Sequence, residues 1–229
     1  MMKIGGLQPV TLLDYPQKMA AIVFTYGCNM RCPFCYNPQL VLPGLTAEML
    51  YKEDRVIDFL TRRKKYLDGL VITGGEPTLQ KGLMRFLAKM KKLGYAIKLD
   101  TNGLLPEKIK ELLEKNLVDY IAMDVKGPLK EYKRYTGTGG EKIKESIELI
   151  MSSGLPYEFR STLVKGWHNG ESVEKMAKLI KGADLYYLQN FQDGKCLAGE
   201  EFTGKAFFKK ELEDFRQSAE NWVKKCAVR

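Results

Sequence analysis

Short apolar runs alternate with amphipathic stretches along most of this chain. Ala20-Ala21-Ile22-Val23-Phe24-Thr25 stops at Gly27, and Leu70-Val71-Ile72-Thr73 stops at Gly74-Gly75. Ala96-Ile97-Lys98-Leu99 stops at Asp100-Thr101-Asn102-Gly103, and Val118 to Met123 runs into Asp124. Tyr157 to Val164 ends at Gly166, and Leu185 to Leu188 ends near Asn190. Each run is short, rich in β-branched or aromatic residues and closed by turn formers, which predicts six buried strands.

The stretches between them repeat apolar residues at steps of three and four. The sets are Met49, Leu50, Val56, Ile57, Leu60; Leu83, Phe86, Leu87, Met90, Leu93; Ile109, Leu112, Leu113, Leu117; Ile143, Ile147, Ile150, Met151; and Val173, Met176, Ala177, Ile180. Such stripes predict helices with one buried face. Thr46 ahead of Glu48, and Pro106 ahead of Glu107, read as helix starts. A closing helix over about 207–226 carries Leu212, Phe215, Ala219, Trp222, Val223 and Cys226 on one stripe. Strands alternating with helices imply right-handed βαβ units and a parallel sheet. No proline-rich or low-complexity linker interrupts the pattern, so 1–229 reads as a single domain with a short N-terminal extension, 1–19.

Composition narrows the chemistry. The chain has 229 residues, 37 Lys+Arg against 28 Asp+Glu, a net charge of +9, one His and five Cys. No apolar run approaches the roughly 20 residues of a membrane span, and the start lacks a secretory signal. A cytoplasmic location is expected, where structural disulfides are rare and an odd cysteine count points to metal ligation or free thiols. A single His argues against a His-rich zinc site and a Ser-His-Asp triad; His168, within Gly166-Trp167-His168-Asn169-Gly170, reads as a turn residue. Lys and Arg recur on the expected outer helix faces, as in Arg62-Arg63-Lys64-Lys65, so the surplus reads as a solvated surface rather than a nucleic-acid stripe.

The strongest local signal is Gly27-Cys28-Asn29-Met30-Arg31-Cys32-Pro33-Phe34-Cys35. Thiolates in one loop suit an iron–sulfur cluster, zinc or copper(I). A structural zinc site usually takes four ligands, often as two pairs, and no second pair follows. Cys196 reads as a spare thiol in a turn and Cys226 as a core residue. Three cysteines on a four-iron cluster would leave one iron open for a ligand. The spacing C-x3-C-x-aromatic-C, with Phe34 as the aromatic, resembles the signature of radical S-adenosylmethionine enzymes. That resemblance implies that Cys28, Cys32 and Cys35 hold a 4Fe–4S cluster and that S-adenosylmethionine chelates the open iron. Reductive cleavage then gives methionine and a 5′-deoxyadenosyl radical.

The chemically loaded segments all follow strands, as sites do in barrel enzymes, so the expected fold is a partial (β/α)6 TIM-like barrel of parallel strands with outer helices. Gly74-Gly75-Glu76-Pro77 resembles the family segment that binds the cofactor's amino group. Asp100 and Asn102 on one strand end, and Asp124 and Lys126 on another, resemble the strand ends of glycyl-radical-enzyme activases. There the resemblance implies a monovalent cation between the aspartates, with the lysine near the cofactor carboxylate. Arg160, a charge within a strand, and Gln192, where formate-lyase activases present a histidine, complete the implied cofactor-binding set. Tyr36 likewise replaces the histidine that often follows the third cysteine.

The opening (Gly6-Leu7-Gln8, Leu12-Leu13-Asp14-Tyr15-Pro16), Val118 to Asp124 and Tyr157 to Arg160 resemble the branch of anaerobic ribonucleoside-triphosphate reductase activating proteins. The implied reaction abstracts a hydrogen from a glycine Cα of a partner glycyl-radical enzyme. The implied electron donor is a low-potential flavodoxin or ferredoxin. No catalytic side chain is needed beyond cluster and cofactor. Action on a small molecule or RNA, and a non-catalytic iron–sulfur electron carrier, are the competing readings.

Overall fold

The computed structural model describes residues 1–192, 194 and 196–229. The chain falls into two compact units. Unit one comprises Met1–Asn29, Gln39–Thr101 and Glu107–Ile121; unit two comprises Met30–Pro38, Asn102–Pro106 and Ala122–Arg229. In chain order the first elements are β1 (Ile4–Thr11), β2 (Ala20–Thr25), α1 (Pro38–Val41), α2 (Glu53–Arg63), β3 (Gly69–Gly74), α3 (Leu83–Lys92), β4 (Ala96–Thr101) and α4 (Pro106–Glu114). They continue as β5 (Tyr120–Asp124), α5 (Tyr132–Thr136), α6 (Ile143–Met151), β6 (Tyr157–Leu163), α7 (Gly170–Leu179), β7 (Tyr186–Asn190), α8 (Lys209–Glu220) and β8 (Cys226–Val228).

In unit one the strands lie in the order β1-β2-β3-β4. β1 runs antiparallel to β2, whereas β2–β3 and β3–β4 are parallel, with Ile22 opposite Val71 and Val71 opposite Lys98. Alternate residues face opposite sides of a sheet. Ile22 and Val71 therefore share a face, on which Tyr15, Ala20 and Tyr120 close a core with Phe24 and Ala96 packed against it. The other face carries Val23, Leu70, Ile72, Ile97 and Leu99, all fully buried. The strands read as continuous apolar runs because both faces are covered. Helices α2 and α3 turn inward the stripes Val56-Ile57-Leu60 and Leu83-Phe86-Leu87-Met90.

Unit two repeats the arrangement with parallel β6-β7-β8, Ser161 opposite Leu188 and Leu188 opposite Val228. α7 opens on a capping box: the Asn169 side chain accepts from Ser172 N–H at 2.9 Å, and Asn169 N–H donates to Ser172 Oγ at 2.9 Å. α8 packs on α7 and β8. β5 straddles the division between the units. Beside it, Asp119 N–H donates to the Ile97 carbonyl within unit one, and Val125 N–H donates to the Arg160 carbonyl within unit two.

The α/β class and the six expected strands are present, and the strand pairs within each unit, β1–β2 apart, run parallel. Three boundaries differ from the sequence expectation. The extension 1–19 contributes strand β1 rather than standing apart. The closing helix stops at Glu220, and Cys226 lies in strand β8, because the chain turns at Asn221 while the apolar period happens to continue through Val223. The Thr46 start signal belongs to a turn closed by Met49 N–H on the Thr46 carbonyl, and α2 begins at Glu53, leaving Met49 exposed. No helix among the described residues is long and apolar enough to cross a membrane.

Candidate active site

The end of β3 meets the end of β2 through two glycines. Gly75 N–H donates to the Thr25 carbonyl and Glu76 N–H to the Gly27 carbonyl, both at 2.8 Å. A Cβ on Gly74 would overlap the Thr25 backbone, and one on Gly75 would overlap the Gly27 carbonyl. Gly74 also has a φ of 110°, which side-chain-bearing residues seldom adopt. The glycine pair is thus required by backbone packing immediately ahead of Cys28.

Glu76 is 1% exposed and turned inward. Its Oε1 accepts from Thr78 N–H at 3.0 Å, Thr78 Oγ1 at 2.6 Å and Thr101 Oγ1 at 2.7 Å, tying the ends of β3 and β4 together. Pro77 opens the short 3-10 turn that follows. Beside Thr101, the Asp100 carboxylate pairs with the buried Lys98 ammonium at 2.9 Å.

In unit two the cysteine loop is held mainly by backbone. Cys35 N–H donates to the Cys32 carbonyl at 3.0 Å, and Arg31 N–H to the Thr136 carbonyl at 2.7 Å. From the segment after β7, Leu197 N–H donates to the Cys35 carbonyl and Ala198 N–H to the Pro33 carbonyl, both at 3.0 Å. Phe34 is buried, edge-on to Trp167 at 6.4 Å and to His168 at 6.0 Å between centroids. Tyr36 stacks on Phe191 at 5.5 Å, and its hydroxyl oxygen accepts from Gln192 N–H at 2.7 Å. The two positions that depart from the formate-lyase pattern are therefore physically joined.

Asp124, Lys126 and Arg160 form one network. Lys126 Nζ lies 2.9 Å from Asp124 Oδ2, and Arg160 Nε lies 2.9 Å from Asp124 Oδ1. Burial works to raise the Asp124 carboxyl, but the Arg160 and Lys126 charges outweigh it and hold the pKa at about 2. Burial likewise opposes the charge on Lys126, yet Asp124 and then the Cys32 thiolate push its pKa upward, with Cys35 adding to them. Behind Lys126, His168 accepts from Val164 N–H at Nδ1, at 3.1 Å, and so donates from Nε2 to the Lys126 carbonyl, also 3.1 Å away.

Asn102 makes a local turn, its Oδ1 accepting from Leu104 N–H at 3.0 Å. Unit one therefore carries Cys28, Gly74 to Pro77 and Asp100, and unit two carries Cys32, Phe34, Cys35, Asn102, Asp124, Lys126, Arg160 and Gln192. Sequence reasoning passed over Lys98 and assigned His168 to a turn. The signal for Lys98 was a charge inside the apolar run Ala96-Ile97-Lys98-Leu99. His168 had none, since burial of a turn residue leaves no periodicity.

All five cysteines are free thiols. Among the described residues no three His, Cys, Asp or Glu side chains stand in ready-made metal geometry, so a cluster site rests on donor chemistry and spacing. The residues fit on that ground: an all-thiolate set suits iron–sulfur, and the Lys126 ammonium carries a positive charge near Cys32 and Cys35.

Comparison with known proteins bears on the same residues. The radical SAM superfamily profile matches residues 22–180. A Methanocaldococcus jannaschii protein, provisionally named a glycyl-radical enzyme activating enzyme, is 36% identical over 99% of this chain and 95% of its own. The pyruvate formate-lyase-activating enzyme of Clostridium pasteurianum is 29% identical over 78% of this chain and 76% of its own. A Thermococcus kodakarensis protein, provisionally named a GTP 3′,8-cyclase, is 28% identical over 82% of this chain but 61% of its own. In fold, QueE from Escherichia coli superposes with a TM-score of 0.60 over 100% of this chain and 93% of that one, at 14% identity. The profile begins inside β2, takes in the cysteine loop and runs through α7, and with the full-length likeness it establishes that this chain belongs to the radical SAM superfamily.

Proposed function

We propose that the protein is a glycyl-radical enzyme activating enzyme whose partner is an anaerobic ribonucleoside-triphosphate reductase. The observation that carries the activase part of the reading is the 36% identity to the Methanocaldococcus jannaschii protein, which covers 99% of this chain and 95% of its own; the choice of partner rests on the likeness of the opening, Val118 to Asp124 and Tyr157 to Arg160 to the reductase activating branch. With a 4Fe–4S cluster on Cys28, Cys32 and Cys35 and S-adenosylmethionine bound, the centre supplies a 5′-deoxyadenosyl radical for glycine Cα–H abstraction.

The protein's own groups bind and orient. The Gly74-Gly75-Glu76-Pro77 turn offers backbone to the cofactor's amino group. Lys126, oriented by Asp124 and held by His168, offers its ammonium to the cofactor carboxylate. Arg160 fixes Asp124 from the neighbouring strand. Asp100, Asn102, Phe34 and Gln192 complete the binding set, and a low-potential flavodoxin or ferredoxin supplies the electron.

The test is electron paramagnetic resonance of the reduced, reconstituted protein mixed with S-adenosylmethionine and an anaerobic ribonucleotide reductase. A glycyl-radical doublet is expected, and substituting the partner's radical glycine by alanine removes it. Cofactor cleavage without a doublet on any glycyl-radical enzyme of the organism would sink the activase reading in favour of a small-molecule or RNA substrate. The likeness to the cyclase gives that second reading less weight, since it spans only 61% of that protein.

A further inference from the structure

Activase resemblance implies a monovalent cation at Asp100 and Asp124, but the side chains already present do not fit one. Lys98 and Asp100 are two residues apart on β4 and so point to the same face. Lys98 is 2% exposed, pairs in register with Val71 and runs its stem along the core face of unit one. Its Nζ ends 2.9 Å from Asp100 Oδ1 and 5.7 Å from the Tyr120 ring centroid. A buried ammonium is costly unless paired, so a lysine kept at this depth needs its carboxylate, and the carboxylate needs it. Asp124 is occupied in the same sense, with Lys126 on one oxygen and Arg160 on the other. A sodium or potassium ion placed at Asp100 would stand beside an ammonium already there and be repelled by it.

We propose that the Lys98 ammonium is a built-in counter-ion that takes the place of a monovalent cation at Asp100. Cofactor binding by this protein is then indifferent to sodium and potassium. The inference rests on the reading of the β4 end as part of the S-adenosylmethionine site. A free alkali ion must be recruited from solution at each binding event, whereas a lysine on the same strand is present at all times.

Equilibrium dialysis of radiolabelled S-adenosylmethionine against the anaerobically reconstituted protein tests this in potassium, sodium and choline chloride at equal ionic strength. The wild-type dissociation constant should agree among the three salts within about twofold. Lys98→Met keeps the stem but frees the space at Asp100. Its affinity should fall by about tenfold or more in choline and recover on titration with potassium, and thallium-205 resonance should broaden on adding this variant but not wild type. A wild-type affinity that collapses in choline overturns the proposal, and that comparison stands even if the variant does not fold. A folded Lys98→Met protein that binds with wild-type affinity in every salt also overturns it. Loss of binding in all salts by wild type with an intact cluster would refute the site reading itself, and the proposal with it.

Discussion

His168 has both ring nitrogens committed, so its charge state is built into the fold. Burial first of all pushes its pKa down to about 4 from 6.5; the Lys126 carbonyl at Nε2 favours protonation, whereas the Val164 N–H on Nδ1 occupies the site a second proton would need. The unfolded chain takes up a proton near pH 6.5 that the folded chain refuses until about pH 4. Stability from this group is therefore full above the unfolded value and drains as pH falls towards the folded one, by about 3 kcal/mol in all. Denaturant titration should find wild type about 2 kcal/mol less stable at pH 5 than at pH 7. His168→Gln should remove most of that difference; an equal slope in the variant would clear His168. Asp124 acts in a separate window: its contribution is complete above 3.8 and is lost only as pH falls towards about 2. Asp124 and Lys126 were legible in the sequence as charges where an apolar run ends, and Arg160 as a charge inside one. Lys98 left a comparable signal, a charge inside an apolar run, but its pairing with Asp100 is not readable from the run alone; His168 left none, since its burial depends on chain reversal, which local pattern does not encode.

At the level of elements, the turn after β3 holds the Gly27 carbonyl in unit one, and the segment after β7 holds the Pro33 and Cys35 carbonyls in unit two. Gly75→Ala forces a methyl group into the Gly27 carbonyl. Relief requires one strand end to move, at a cost of about 2 kcal/mol or more. Thermal denaturation should report that loss, and reconstituted iron content should fall with it because Gly27 adjoins Cys28. Normal iron and an unchanged melting temperature would mean the turn is more pliant than its packing suggests. Within unit two, Tyr36→Phe keeps the stack on Phe191 and gives up one hydrogen bond, worth about 1 kcal/mol; Tyr36→Ala gives up both. Iron retained after anaerobic desalting should fall in the order wild type, Phe, Ala, and equal retention in all three would reduce Tyr36 to surface decoration. The strands β2 to β7 were readable because burial on both faces makes them plain apolar runs. β1 was hidden by its outward polar positions and its Gly and Pro, and β8 by its three-residue length.

For the molecule as a whole, five thiols divide by environment rather than by count. Burial pushes the Cys226 thiol up to about 12, so in β8 it stays protonated near neutral pH. Replacing Cys28, Cys32 or Cys35 by Ala should remove most of the roughly four irons expected per chain. Cys226→Ala should leave iron unchanged and lower only stability. Iron analysis and visible absorbance decide the matter, and a cluster lost with Cys226 would mean a closed four-cysteine site.

The division of the chain also orders its biosynthesis. Unit one is nearly complete once residue 121 has left the ribosome, but Met30–Pro38, made early, belongs to unit two. Phe34 has no ring neighbour until Trp167 and His168 are made, and the Pro33 and Cys35 carbonyls wait longer still, for Ala198 and Leu197. Through most of translation the Cys32 and Cys35 thiols therefore lack their final enclosure.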